Sequence, residues 1–143
     1  MAQLSALKPT EVWKYFEEIV KIPRPSKKEE KIIDFIIAFA EKHQLEHRKD
    51  ASGNIVIMKP ATRGYENRKA VCLQSHLDMV CEKNSSSSHN FESDPIQTLV
   101  DGDWVRAQDT TLGADNGIGI AAQLALLSGH NLNHGPVECL FTT

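Results

Sequence analysis

The spacing of apolar residues changes several times along the chain, and each change marks an element. Val12, Trp13, Phe16, Ile19 and Val20 recur at helical intervals, and Pro9 suits an opening turn. Ile22-Pro23-Arg24-Pro25 ends that helix, because proline cannot supply the helical N–H. A second helix is expected from Ser26, where Ser26 and Glu29 form an S-x-x-E capping box. Ile32, Ile33, Ile36, Ile37 and Ala40 then give one apolar stripe, widened by Phe35 and Phe39. His43 and His47, four apart, are placed on the polar end of this helix.

Beyond residue 44 the pattern turns to short β-rich runs. Ser52-Gly53 introduces Asn54-Ile55-Val56-Ile57-Met58, and a polar, turn-rich stretch from Pro60 to Lys69 leads to Ala70-Val71-Cys72-Leu73-Gln74. The serine-rich residues 82–95 read as an exposed loop. Asp101-Gly102 between Thr98-Leu99-Val100 and Trp104-Val105 signals a hairpin. A glycine-rich turn at 112–117 precedes a third helix over Ile118 to Leu127, and Gly135-Pro136 starts a last strand through Thr142. Helices alternating with apolar strands predict an α/β sandwich. The core-like strand running to Thr143 suggests a piece of a longer protein.

Composition narrows the function classes. Within 143 residues, 41% are hydrophobic and 24% charged, which suits a folded chain with its own core. No apolar run reaches the ~18 residues of a membrane helix, and no secretory leader is visible at the start. Net charge is −3, and the 16 Lys and Arg are scattered, so neither a membrane nor a nucleic-acid partner is expected. Three cysteines without a C-x-x-C pair argue against a disulfide framework and for a reducing compartment. Cys72 and Cys139, inside apolar runs, read as buried small hydrophobes.

Two motifs could carry chemistry. His76-x-Asp78 follows an apolar strand, so imidazole and carboxylate project to one side at the strand's C-terminal end, where open α/β sheets bind ligands. They form either a metal site or a structural His–Asp pair. Gly113-Ala114-Asp115-Asn116-Gly117 opens a helix, so Asp115 is either an N-cap or a metal ligand. No Lys-Ser/Thr follows Gly117, no third glycine completes a dinucleotide fingerprint, and Ser75 lacks a nucleophile elbow. His43, His47, His89, His130, His134, Asp103 and Asp109 receive no role.

Together, the hydrophobic strand, His-x-Asp and the later Gly-Ala-Asp-Asn-Gly resemble the M20 family of dinuclear zinc peptidases. Ile22-Pro23-Arg24-Pro25-Ser26 and Ser52-Gly53-Asn54-Ile55 match the family as well. Residues 73–80 and 110–119 look most like its aminoacyl-histidine dipeptidases, the PepD-like Xaa-His enzymes. The resemblance implies a three-layer α/β/α sandwich, with residues 1–143 forming the N-terminal part of the catalytic domain and the lid and dimerisation domain absent. It implies that His76 ligates one zinc, that Asp115 bridges two, and that a cis peptide follows Asp115. Asp78 would be the active-site residue that orients His76. Cys81 departs from the family, where many members carry proline. The implied cofactor is two Zn²⁺, with Co²⁺ or Mn²⁺ as substitutes. The implied activity is hydrolysis of dipeptides of the Xaa-His type by a cytoplasmic homodimer. The family's Glu-Glu pair, which supplies a general base and a ligand, and two further ligands are expected beyond Thr143, so the 143 residues alone should be inactive. Alternatives are another M20 hydrolase (aminotripeptidase, carboxypeptidase or N-acyl-amino-acid deacylase) or a non-catalytic module that keeps the fold.

Overall fold

A computed structural model describes residues 3–143. A short 3-10 turn, Leu4–Ala6, precedes helix α1 (Thr10–Ile19) and helix α2 (Glu30–Lys42). Strands β1 (Glu46–Lys49), β2 (Ile55–Lys59), β3 (Val71–His76), β4 (Thr98–Asp101) and β5 (Trp104–Ala107) follow, then helix α3 (Ala114–Ser128) and strand β6 (Val137–Thr142). Four strands form one sheet in the order β1-β2-β6-β3, while β4 and β5 make a separate hairpin. β3 runs parallel to β6, and the other pairs are antiparallel. The parallel pair needs a long crossover; the hairpin and α3 lie within it.

The fold is α/β, and its core lies between the sheet and one helical layer. Ile55 and Ile57 of β2 and Val137, Cys139 and Phe141 of β6 alternate onto the covered face. They join one cluster with Phe16 and Ile19 of α1, Ile32 and Ile36 of α2, and Ile120 and Leu124 of α3. Each such side chain contributes ~1.5–3 kcal/mol when fully buried. Lys59, on the same face, donates to the carbonyls of Leu126, Leu127 and Gly129 and so satisfies the C-terminal end of α3. The opposite face carries Val56, Met58, Cys72, Gln74, Glu138 and Leu140, all half-buried or exposed. Among the described residues no helix joins these to the core cluster.

Four local expectations are corrected. The Ser26–Glu29 capping box does not form: α2 starts at Glu30, and the Ser26 hydroxyl bonds Asp78 instead. Glu29 turns its carboxylate to the Lys27 N–H, 2.7 Å away, with Lys27 at φ 69°. Helix α2 ends at Lys42, and Gln44 at φ 56° turns the chain into β1, so His47 sits on a strand rather than a helix. Cys139 is buried as expected, but Cys72 is exposed, because β3 is an edge strand and Cys72 faces its open side. The hairpin turn is Gly102-Asp103, one residue later than the Asp-Gly signal, with Asp101 paired to Trp104.

Candidate metal centre

Strand β3 delivers His76 to the end of the sheet, opposite Thr142 of β6. The Leu77 N–H extends the pairing by one bond, 2.7 Å to the Thr142 carbonyl, before the chain leaves the sheet at Asp78. There the imidazole Nδ1 lies 2.9 Å from Asp78 Oδ1 and 3.1 Å from the Asp78 carbonyl. The other ring nitrogen, Nε2, lies 3.0 Å from Asp115 Oδ1, thirty-nine residues along the chain. The structure thus brings together all three residues singled out from the sequence.

The local conformation around Asp115 explains how it reaches His76. Gly113 adopts φ 71°, a left-handed value that a side chain disfavours. Asp115 (φ −93°, ψ 105°) and Asn116 (φ −109°, ψ 31°) are not helical, and the peptide between them is cis. The Asp115 carboxylate is turned to His76 rather than to the first amides of α3. The side chain is 95% exposed. Asn116 folds back over Gly119, where a Cβ would collide with its Oδ1 and lie 2.7 Å from Ser75 Oγ.

Electrostatics follow from this geometry. Burial pulls the His76 imidazole down, but hydrogen bonds to Asp115 and Asp78, with their charges, outweigh it and leave the group above its ordinary value. Both ring nitrogens face carboxylates, so the protonated ring donates to each. The Ser26 hydroxyl donates to the second oxygen of Asp78 and, with His76, holds that carboxyl below its usual range against the effect of burial.

The donor set fits a metal ion in kind. Two donors each ~2.0–2.1 Å from a tetrahedral zinc lie about 3.3 Å apart. The 3.0 Å between Nε2 and Oδ1 is close to that, and a cation there would replace the shared proton. Asp78 on Nδ1 is the arrangement that fixes a metal-binding tautomer. The set is incomplete in number: among the described residues, no group of three or more His, Cys, Asp or Glu side chains is placed to hold a metal.

The chain is similar to known dipeptidases over nearly its whole length. No family model matches the chain. The cytosol non-specific dipeptidase of Escherichia coli K12 is 51% identical over 142 residues, 99% of this chain and 29% of that protein. The crystal structure of aminoacylhistidine dipeptidase from Vibrio alginolyticus superposes with a TM-score of 0.96 at 48% identity, covering 98% of this chain and 29% of that one. A Bacillus subtilis structure described as a dinuclear metal binding peptidase of the M20 family shares the fold at 17% identity and a TM-score of 0.54, over 92% of this chain and 34% of its own. Over nearly its whole length the chain is a close homologue of these two dipeptidases. It spans under a third of the length of the two dipeptidases it matches.

Other titratable groups of this chain make separate contacts. His43 stacks on Phe39 with ring centroids 4.4 Å apart, and His89 packs edge-on against Phe91 at 4.5 Å. His47 and His134 use Nδ1 on the carbonyls of Leu45 and Gly135. Asp109 takes a left-handed turn and accepts from Asn84. The Cys81 thiol is pushed up by burial, which suits a packing role. Sequence reasoning missed Ser26 as a site residue, because its helix-cap spacing offered a nearer use. The signal available was its position beside Arg24 and Pro25 in the family-like opening segment.

Proposed function

We propose that this chain supplies part of the metal centre of a cytoplasmic dipeptidase acting on short peptides, Xaa-His dipeptides among them, and that its 143 residues are inactive alone. The names and close likeness of the two dipeptidases support the reaction class. The observation that carries the reading is the convergence of His76 Nε2 and Asp115 Oδ1, with Asp78 behind the imidazole.

In this reading His76 and Asp115 are metal ligands, and Asp115 has its carboxylate open enough to serve two ions. Bound zinc would polarise the scissile carbonyl and lower the pKa of its water toward ~7. Asp78 accepts the Nδ1 proton, which leaves the Nε2 lone pair free for the ion. Ser26 keeps Asp78 ionised and turned toward the ring. Hydrolysis also needs a base to accept the water's proton and pass it to the leaving amine. No third carboxylate joins His76 and Asp115 among the described residues, so that base and the remaining ligands come from other parts of the working enzyme.

The test is a graft. Residues 1–143 replace the matching segment of the Escherichia coli dipeptidase, and hydrolysis of an Xaa-His dipeptide is assayed with Zn²⁺, Co²⁺ and Mn²⁺. The graft should be active with at least one ion and should lose activity by several orders of magnitude on His76→Ala or Asp115→Ala, while the isolated chain shows none. A folded graft that is inactive with every ion, or indifferent to both substitutions, would overturn the reading.

A further inference from the structure

One buried charge has no part in the mechanism above. Arg24 is 1% exposed and is the largest fully buried side chain. Burying a guanidinium is costly, and an apolar side chain of similar size often serves stability as well or better. Its partners are backbone carbonyls, not a carboxylate. Nη1 donates to the Leu77 and Asp78 carbonyls, each at 2.9 Å, and Nη2 donates to the Gly113 carbonyl. Leu77 and Asp78 follow His76 directly, and Gly113 lies two residues before Asp115.

We propose that Arg24 is the positioning residue of the metal-binding pair, one planar fork that fixes the strand end carrying His76 against the turn carrying Asp115. This rests on the reading of those two residues as ligands. The surroundings are shaped around the fork. A Cβ at Gly113 would lie 2.7 Å from Nη2, and one at Gly117 would lie 2.8 Å from it. Both glycines that frame Ala114-Asp115-Asn116 therefore make room for Arg24. The backbone of the same segment is tied down too. The Met79 N–H donates to the Arg24 carbonyl at 3.0 Å, Pro25 bridges to Met79, and Ser26 reaches Asp78. Residues 24–26 thus run alongside 77–79 and reach the His76 side of the site through Ser26, while Arg24 alone crosses to the Asp115 side. A lysine carries the charge but not the fork, so it cannot hold three carbonyls in one plane.

The test compares wild type, Arg24→Met and Arg24→Lys as the whole 143-residue chain. Folding is checked by circular dichroism, and two readouts are taken. The first is Zn²⁺ affinity by calorimetry. The second, in metal-free protein, is the nuclear Overhauser contact between the His76 ring and the Asp115 β-protons. Arg24→Met should stay folded, lose at least tenfold in zinc affinity and lose the His76–Asp115 contact. Arg24→Lys should fall in the same direction, and it serves alone if the methionine variant does not fold. A folded variant with wild-type zinc affinity and the contact intact overturns the proposal. If wild type binds no zinc, the two ligands alone do not hold the ion, and the zinc comparison of the Arg24 variants is made in the graft. The contact then decides on Arg24: loss in the variants supports it, and retention overturns it.

Discussion

The two segments that meet in the centre are held in different ways. His76 and Asp78 are half-buried, at 37% and 26% side-chain exposure, and their side chains hold one another. Nδ1 bonds Asp78, Asp78 bonds Ser26, and β3 pairs with β6 behind them. Asp115 is 95% exposed, and His76 is the partner of its carboxylate. Its place is set by backbone: a left-handed glycine before it, two non-helical residues, and Asn116 folded over Gly119. One ligand is thus aimed by polar side chains, the other by the path of the chain. The difference predicts which substitutions damage the fold and which damage the site alone.

The largest effect is expected where the chain path is set. Gly119→Ala puts a methyl onto Asn116 Oδ1 and 2.7 Å from Ser75 Oγ, so both side chains must shift. Overpacking of this kind costs ~1–3 kcal/mol. Gly113→Ala adds a left-handed φ of 71° to a contact 2.8 Å from Met79 Sδ, so the backbone preference comes on top of the crowding and it should cost more. Gly102→Ala is the control: its φ is also positive, but nothing lies within 4 Å, so only the backbone preference of roughly 1–2 kcal/mol is lost. Urea midpoints of the three variants check the order. If Gly102→Ala proves as damaging as Gly119→Ala, crowding at the Asp115 turn is not what holds it.

The next effect separates site from fold. Asp115→Ala removes an exposed side chain, so stability should move by less than ~0.5 kcal/mol. Zinc affinity should fall more than with any other single change except His76→Ala. Melting curves and calorimetry on the same samples measure both. An Asp115→Ala chain as unstable as Gly119→Ala would mean that the carboxylate, and not the backbone, organises the turn.

Much of this centre was legible in the sequence, and the rest was hidden for identifiable reasons. The two-residue period of a strand puts His76 and Asp78 on one side, and the structure pairs them. At Asp115 the spacing alone favoured a cap over a ligand, since an acidic residue at a helix start commonly caps; in the structure its carboxylate is exposed and turned to His76. Ser26 was misread because a capping box is judged from four neighbouring residues, whereas its hydroxyl meets Asp78 fifty-two residues away. Strand β1, Glu46-His47-Arg48-Lys49, has no apolar alternation to reveal it and exists by pairing with β2. For Cys72, the apolar run gives a strand but not whether its face is covered.

An intermediate effect tests the side-chain half of the comparison. Asp78→Asn keeps the shape beside Nδ1 but replaces a carboxylate with an amide that presents a donor or a weaker acceptor. Losses of ~10–100-fold in metal affinity are typical when the partner of a ligating histidine is changed. The same loss is expected here, with the chain still folded. Calorimetric zinc titration measures it. Affinity unchanged within error would show that His76 is oriented by the strand alone, and both segments would then be backbone-aimed.

The smallest effect belongs to Ser26→Ala. The hydroxyl touches neither His76 nor Asp115; it acts on Asp78, through which it keeps the carboxylate ionised and turned toward the ring. A half-exposed hydrogen bond contributes about 0.5–1.5 kcal/mol at most, and water can replace much of it. Zinc affinity should therefore fall by no more than about tenfold, less than for Asp78→Asn. Combining the two sharpens the point. If Ser26 works only through Asp78, adding Ser26→Ala to Asp78→Asn should cost almost nothing further, because the carboxylate it serves is already gone. Full additivity in that cycle would place Ser26 on a separate route to the centre, with the brace formed by residues 24–26 as the route to examine.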